Sequence, residues 1–247
     1  MANPIRASLM VTCLGDLFFP EVGFATVRLL RRLGVDVDVP RGQTCCGLPF
    51  FNSGYVEEAR RVAARTIPLF AESDHVVVPS GSCAFMVRHE YPELTKGDAA
   101  LEASAAKLAS RTYELSQFLV GVLKKDAVES DFKGRVTYHD SCHLLRGLGE
   151  SESPRVLLKQ LKGVEFIELP GSDECCGFGG SFSVRLPEIS TAILDKKLAN
   201  VEATGADCVV ACDAGCLIQM GGGLSRRRSP VRAVHLAELL AGDGLKP

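Results

Sequence analysis

Short runs of β-branched and other apolar residues alternate along this chain with longer stretches whose apolar positions recur three and four residues apart. The short runs predict strands and the long stretches helices, because strand side chains alternate faces while a helix returns to one face about every 3.6 residues. In the first half, strands are expected at ASLMVT (7–12), VDVDV (35–39) and HVVVP (75–79). Helices are expected over Glu21–Leu33 and Val56–Phe70, with a single long one over Ala99–Lys125. In the second half, strands are expected at RVTYH (135–139), VEFIEL (164–169), CVVA (208–211) and VRAVH (231–235), and helices near Arg155–Leu161 and Pro187–Thr204. Pro187 suits a first helical turn, and Gly34, Gly163 and Gly205 stand where helices should stop. Such alternation predicts an α/β fold with largely parallel, Rossmann-like sheets.

The pattern is written twice. Cys13, Cys45, Cys46 and Cys83 recur 129 to 133 positions later as Cys142, Cys175, Cys176 and Cys216. Their surroundings recur with them: GVDVDVPRGQTCCGLPF from Gly34 parallels GVEFIELPGSDECCGFGG from Gly163, and HVVVPSGSCAFM from His75 parallels CVVACDAGCLIQM from Cys208. YELSQFLVGVLK from Tyr113 is echoed by HLAELLAGDGLK from His235. Two tandem units are expected, 1–130 and 131–247, divided at the polar stretch around Ser130. Each cysteine group falls just after an expected strand, at the carboxyl edge where open α/β sheets gather ligands.

Charge changes this picture little. With 28 Lys and Arg against 30 Asp and Glu the formal net charge is −2, and the one tight basic run, Arg226–Arg228, reads as a solvated helix end, so nucleic acid is not an expected partner. The apolar run Ala7–Thr12 is too short for a signal-peptide core, and no segment approaches the roughly 18 apolar residues of a membrane span. A cytoplasmic protein without direct membrane insertion is therefore expected.

Ten cysteines in that reducing compartment argue against a permanent disulfide framework. Three chemistries remain for the repeated cysteines: transient thiol redox, structural zinc and an iron-sulfur cluster. Tetrahedral zinc usually takes cysteines in pairs two to four residues apart, which the vicinal pairs Cys45–Cys46 and Cys175–Cys176 fit poorly. Adjacent residues on an extended chain point to opposite sides, so neighbouring thiolates more naturally reach different metal atoms of a cluster. Gly47 and Gly177 follow the double cysteines and are expected to relieve backbone crowding there or to form plain turns. His139, Asp140 and His143 flank Cys142, where they could hydrogen-bond its sulfur from outside the ligand set. Cys208 lies inside an apolar run and reads as a buried small hydrophobe. The GFGG at 177–180 and GGG at 221–223 lack the context of a dinucleotide fingerprint and are expected to be loops approaching a cluster.

The motifs C-x31-C-C-x36-C and C-x32-C-C-x39-C, with glycine after each double cysteine, resemble the cysteine-rich CCG units of the heterodisulfide reductases and of the iron-sulfur component of glycolate oxidase. Two units with little else resemble the lactate utilization protein A family, through SGSC at Ser80–Cys83, YHDSCHLLRG at Tyr138–Gly147 and CCGFGGSFSV at Cys175–Val184. The resemblance implies an iron-sulfur cluster of 4Fe-4S type in each half, held by Cys13, Cys45, Cys46 and Cys83 and by Cys142, Cys175, Cys176 and Cys216. It implies further lactate-utilization subunits as partners, one carrying ferredoxin-type clusters. The chain would then be a non-flavin electron-transfer component of an L-lactate oxidoreductase rather than a stand-alone enzyme. The heterodisulfide reductase pattern ends each unit in CxxC. Here Ser80 takes the place of that cysteine in the first half and Asp213 in the second, with Cys212 displaced by one, so Ser80 and Cys212 are candidate additional ligands. Two alternatives stay open: a thiol/disulfide oxidoreductase acting at its own cluster, and a zinc-stapled interaction scaffold.

Overall fold

Each half of the chain builds its own four-stranded parallel sheet in the computed structural model, which describes residues 4–242. The last part of the repeat echo beginning at His235, from residue 243 on, lies outside the described residues.

In the first unit, β1 (Arg6–Leu9), β2 (Asp36–Asp38), β3 (His75–Val78) and β4 (Thr112–Glu114) lie in the order β2-β1-β3-β4. All their pairings are parallel. Val76, Val77 and Val78 are fully buried in succession, as expected of a central strand covered on both faces. The helix Pro20–Arg32 turns Val22, Ala25, Leu29 and Leu30 into the core and carries Arg31 and Arg32 in its last turn, where they complement the helix dipole. Val56–Thr66 is α-helical and Ile67–Phe70 tightens to a 3₁₀ turn around Pro68, because proline supplies no N–H to continue the α pattern.

The single long helix expected over Ala99–Lys125 does not form. The helix Ala99–Ser110 ends, Thr112–Glu114 becomes β4, and a new turn starts at Leu115. Tertiary pairing overrides local period here: Thr112, Tyr113 and Glu114 align with Val76, Val77 and Val78. The buried Glu114 carboxylate then accepts the Ser116 N–H and, with Gln117, closes a capping box on the new turn. Arg111 clamps the break by donating to the carbonyls of Phe70 and Ala71 at 2.6 and 2.9 Å. β1 also stops earlier than expected, at Leu9, because the Val11 N–H leaves the ladder for the Gln43 side chain.

In the second unit, β5 (Gly134–Tyr138), β6 (Val164–Ile167), β7 (Cys208–Ala211) and β8 (Arg232–His235) repeat the arrangement in the order β6-β5-β7-β8, again all parallel. Cys208 is fully buried in β7, and burial pushes its thiol up to about 12. The helix Pro187–Ala203 opens on the proline and buries Ser190, Leu194, Lys197, Leu198 and Val201. Gly221–Gly223 are not a loop near the cysteines, as expected, but the interior of the helix Ala214–Arg226. A Cβ at Gly223 would meet Leu198 Cδ1 at 2.5 Å and Leu194 Cδ2 at 2.9 Å, so this glycine lets two helices approach closely. The chain divides into compact units Met1–Phe118 and Leu119–Pro247.

Candidate metal centres

In each unit the first and third strands are central neighbours, and the chain leaves them in opposite directions across the sheet. That is the switch point at which parallel α/β sheets open a crevice. The cysteines are delivered there from three strand ends: Cys13 after β1, Cys45 and Cys46 after β2, and Cys83 after β3. Cys142, Cys175 with Cys176, and Cys216 follow β5, β6 and β7 in the same way.

In the first unit Cys13 Sγ lies 3.5 Å from Cys45 Sγ, and Cys46 Sγ 3.4 Å from Cys83 Sγ. The vicinal cysteines thus serve different pairs, a half-buried one at the mouth and a buried one at the floor. These separations are far beyond the roughly 2.05 Å of a disulfide, and each of the ten cysteines keeps its thiol outside any disulfide among the described residues. The Gly47 N–H points at Cys45 Sγ, 3.4 Å away. Hydrogen bonds from Cys13 and then Cys46 hold the Cys45 thiol far down, at about 3, against the opposing effect of burial. The same contact with Cys45, followed by burial, drives Cys13 well up, and Cys46 rises through its bonds to Cys45 and Cys83. Cys45 thus forms a thiolate readily while Cys13 and Cys46 hold their protons, and a bound cation would be needed for these three to ionise together.

The loop is braced on both sides. The Gln43 amide donates to the Leu9 and Pro40 carbonyls, each at 2.9 Å, and accepts the Val11 N–H at 2.8 Å. The buried Tyr91 hydroxyl donates to the Cys46 carbonyl at 2.9 Å. Met10, Gln43, Cys46, Thr66, Phe70 and Cys83 line a narrow cleft at this site.

In the second unit Cys176 Sγ and Cys216 Sγ are 3.4 Å apart, and the Gly177 N–H points at Cys175 Sγ from 3.3 Å. Burial raises Cys142. The contact with Cys176 raises Cys175. Cys176 is lowered by its bond to Cys175 but carried well up by Cys216 and burial. His139 joins this pair: one of its ring nitrogens and the sulfurs of Cys176 and Cys216 all lie within 4.8 Å of one another. The ring is almost wholly buried, with the Ser172 backbone beside it and at least one ring nitrogen without a hydrogen-bond partner among the described residues. Burial, then the charge of Lys197, holds the imidazole neutral, its pKa depressed to about 3.

The remaining expected residues fall as follows. Ser80 caps the helix Gly81–Phe85, accepting the Cys83 N–H at 3.4 Å. Cys212 is buried with its sulfur against the Tyr138 hydroxyl, 3.5 Å away. His143 Nδ1 lies 3.7 Å from Cys142 Sγ. Asp140 does not turn to the Cys142 sulfur. It is bound by both Arg155 terminal nitrogens, at 2.8 and 2.6 Å, in a largely buried pair that fixes the loop between β5 and Cys142. Gly47 and Gly177 have φ of 93° and 87°, and a Cβ on Gly47 would meet Ala59 and Val62 at an ordinary 3.5 Å. A Cβ on Gly177 would sit 2.6 Å from the Ser190 carbonyl oxygen.

Sequence reasoning passed over Gln43, Tyr91, Arg155 and Lys197. Lys197 is 1% exposed and donates to the Gly171 and Ser172 carbonyls at 2.5 and 3.3 Å. A lysine in a charged helical stretch carries no signal of burial. The position of Gln43, two residues before a double cysteine, was the only clue to its role.

The family described as a cysteine-rich domain, CCG, matches residues 7–88 and 136–221, spanning both centres. A protein named lactate utilization protein A from Geobacillus kaustophilus is 50% identical over 236 residues, covering 96% of this chain and 98% of its own. The chain belongs to the lactate utilization protein A family. Another family member bearing that name, from Halalkalibacterium halodurans, is 48% identical over 96% of both chains. Lactate utilization protein A 2 of Bacillus cereus (strain Q1) is 46% identical over 96% of this chain. A crystal structure of a hypothetical protein from Helicobacter pylori superposes on the family fold with a TM-score of 0.60 at 12% identity, covering 97% of this chain and 49% of that one. This likeness concerns the fold alone.

Proposed function

We propose that this protein is an iron-sulfur electron-transfer subunit of an L-lactate oxidation system, with one 4Fe-4S cluster in each of two cysteine-rich domains, 1–130 and 131–247. The observation that carries the reading is the delivery of four thiols to the switch point of each sheet, with Cys13 beside Cys45 and Cys46 beside Cys83 in the first unit and Cys176 beside Cys216 in the second. Cys13, Cys45, Cys46 and Cys83 would hold the first cluster, and Cys142, Cys175, Cys176 and Cys216 the second. A cluster would supply one-electron storage, tuned by hydrogen bonds to sulfur and by burial. The chain's own part is to present thiolates, to direct the Gly47 and Gly177 N–H groups at sulfur, and to shield the floor of each site from water.

Exposed apolar side chains follow the half-buried cysteines along the chain: Leu17 and Phe18 come after Cys13, and Val184 and Leu186 after the second double cysteine. This supports docking of redox partners, namely other lactate-utilization subunits including one with ferredoxin-type clusters. No helix among the described residues is long and apolar enough to cross a membrane, which accords with a cytoplasmic assembly.

One observation favours a second reading. Sulfur pairs at 3.4–3.5 Å approach the roughly 3.8 Å edge of a tetrahedron with zinc–sulfur bonds of about 2.3 Å, as a zinc-stapled scaffold would require. Metal and sulfide analysis of anaerobically purified protein separates the two. Iron with matching sulfide, lost in a Cys45→Ala, Cys175→Ala double variant, is the expected result; zinc without sulfide would replace the electron-transfer reading with the scaffold.

A further inference from the structure

The two centres match in sulfur but differ beside it. The residue directly after the first strand of each unit donates its N–H to the neighbouring central strand: Met10 to Val77 and His139 to Val210, both at 2.9 Å. The two positions are therefore equivalent. The first unit puts a thioether there and the second an imidazole.

We infer that the second centre is a mixed histidine–cysteine site, in which a ring nitrogen of His139 bonds the metal alongside the sulfurs of Cys176 and Cys216, whereas the first is held by thiolates alone. This inference rests on the reading that the second unit holds a metal. Three donor atoms all within 4.8 Å of one another share a point no more than about 2.8 Å from each, close to the roughly 2.0–2.3 Å of metal–nitrogen and metal–sulfur bonds. The alternative, a histidine that merely fills space, fits badly. The Ser172 backbone can satisfy at most one ring nitrogen, so at least one buried nitrogen has no partner among the described residues, which buried polar groups almost always have; an apolar side chain would fill the volume without that loss.

Nitrogen ligation has a consequence for electron flow. With His139, Cys176 and Cys216 in the ligand set, one of the half-buried thiolates, Cys142 or Cys175, gives up its metal position to the imidazole. A neutral imidazole in place of a thiolate removes negative charge from the cluster and raises its potential, as in histidine-ligated two-iron centres. The second centre is then the stronger electron acceptor of the two, and reducing equivalents entering the chain collect there.

The test uses intact protein, purified anaerobically and labelled with ¹⁵N-histidine, examined by pulsed EPR in its paramagnetic oxidation state. A single strong imidazole nitrogen coupling is expected. The coupling should vanish in His139→Gln and in His139→Cys, while His139→Cys keeps wild-type iron and shifts the more positive of the two potentials downward. Iron-loaded wild type without a strong nitrogen coupling would overturn the inference and leave the cluster reading standing, as would a coupling that survives in both variants. Protein that carries zinc in place of iron would instead overturn the cluster reading. Cobalt substitution then tests His139 directly: the ligand-field bands shift in His139→Gln if it ligates and stay unchanged if it does not.

Discussion

Gly47 and Gly177 hold the same place in the repeat, share a left-handed conformation, and differ in what surrounds them. Alanine at Gly47 would meet only ordinary contacts at 3.5 Å, so Gly47→Ala should cost about 1–2 kcal/mol, the strain of a side chain at positive φ. Gly177→Ala adds a collision with backbone oxygen at 2.6 Å and should cost roughly twice as much. Urea denaturation of the two variants checks the order. Cys208 offers a contrast in thiol chemistry: buried in β7 with its thiol pushed up to about 12, it should stay unmodified by iodoacetamide at about pH 8 in metal-free folded protein, because the thiolate is the reactive form. Cys45, half-buried and with its thiol held down by its neighbours, should be alkylated first, as peptide mapping would reveal. Lys197 donates to the Gly171 and Ser172 carbonyl oxygens; burial lowers its pKa, and its cation sits within electrostatic reach of Cys175. Replacing it with methionine should move the potential of a cluster there downward, on the order of tens of millivolts, in a redox titration of the holoprotein.

Between elements, the Arg155–Asp140 pair ties the helix Glu152–Lys159 to the loop that carries Cys142. Arg155 also lies over the Tyr138 ring, 5.3 Å from its centroid, and bonds Glu168 beside β6. Removing one partner of a buried pair leaves the other charge uncompensated, so Arg155→Ala should lose about 3 kcal/mol or more. Arg155→Lys should recover only part of this, because an ammonium cannot reproduce the two-pronged contact; thermal melts of the two variants decide it. The same level of organisation shows where periodicity misled. Residues 99–125 read as one helix because Ala, Leu and Lys dominate and the apolar positions keep helical spacing. The strand β4 exists because β3 has an open edge beside it. A clue lay in the repeat: YELSQFL aligns with HLAELLA, and the latter follows the strand-like VRAVH.

Across the whole chain, two parallel sheets of identical order, each with its own cysteine set, imply that the centres load independently. Cys45→Ala should lose about half of the bound iron and leave the second centre's spectrum intact, and Cys175→Ala should do the converse; metal content and EPR of the two single variants would show it.

The α/β class, the internal repeat and the convergence of the cysteines were all legible in the order of residues. They depend on local periodicity and on ligands placed after strands, and parallel sheets necessarily bring those strand ends to one edge. Which thiols pair, that Cys212 lies against the Tyr138 hydroxyl, and that His139 and Lys197 are buried beside the second set depended on packing between segments tens of residues apart. A histidine or lysine carries no mark of burial in its own neighbourhood. Its environment is set by the helices and strands that close over it, and only the folded chain brings those together.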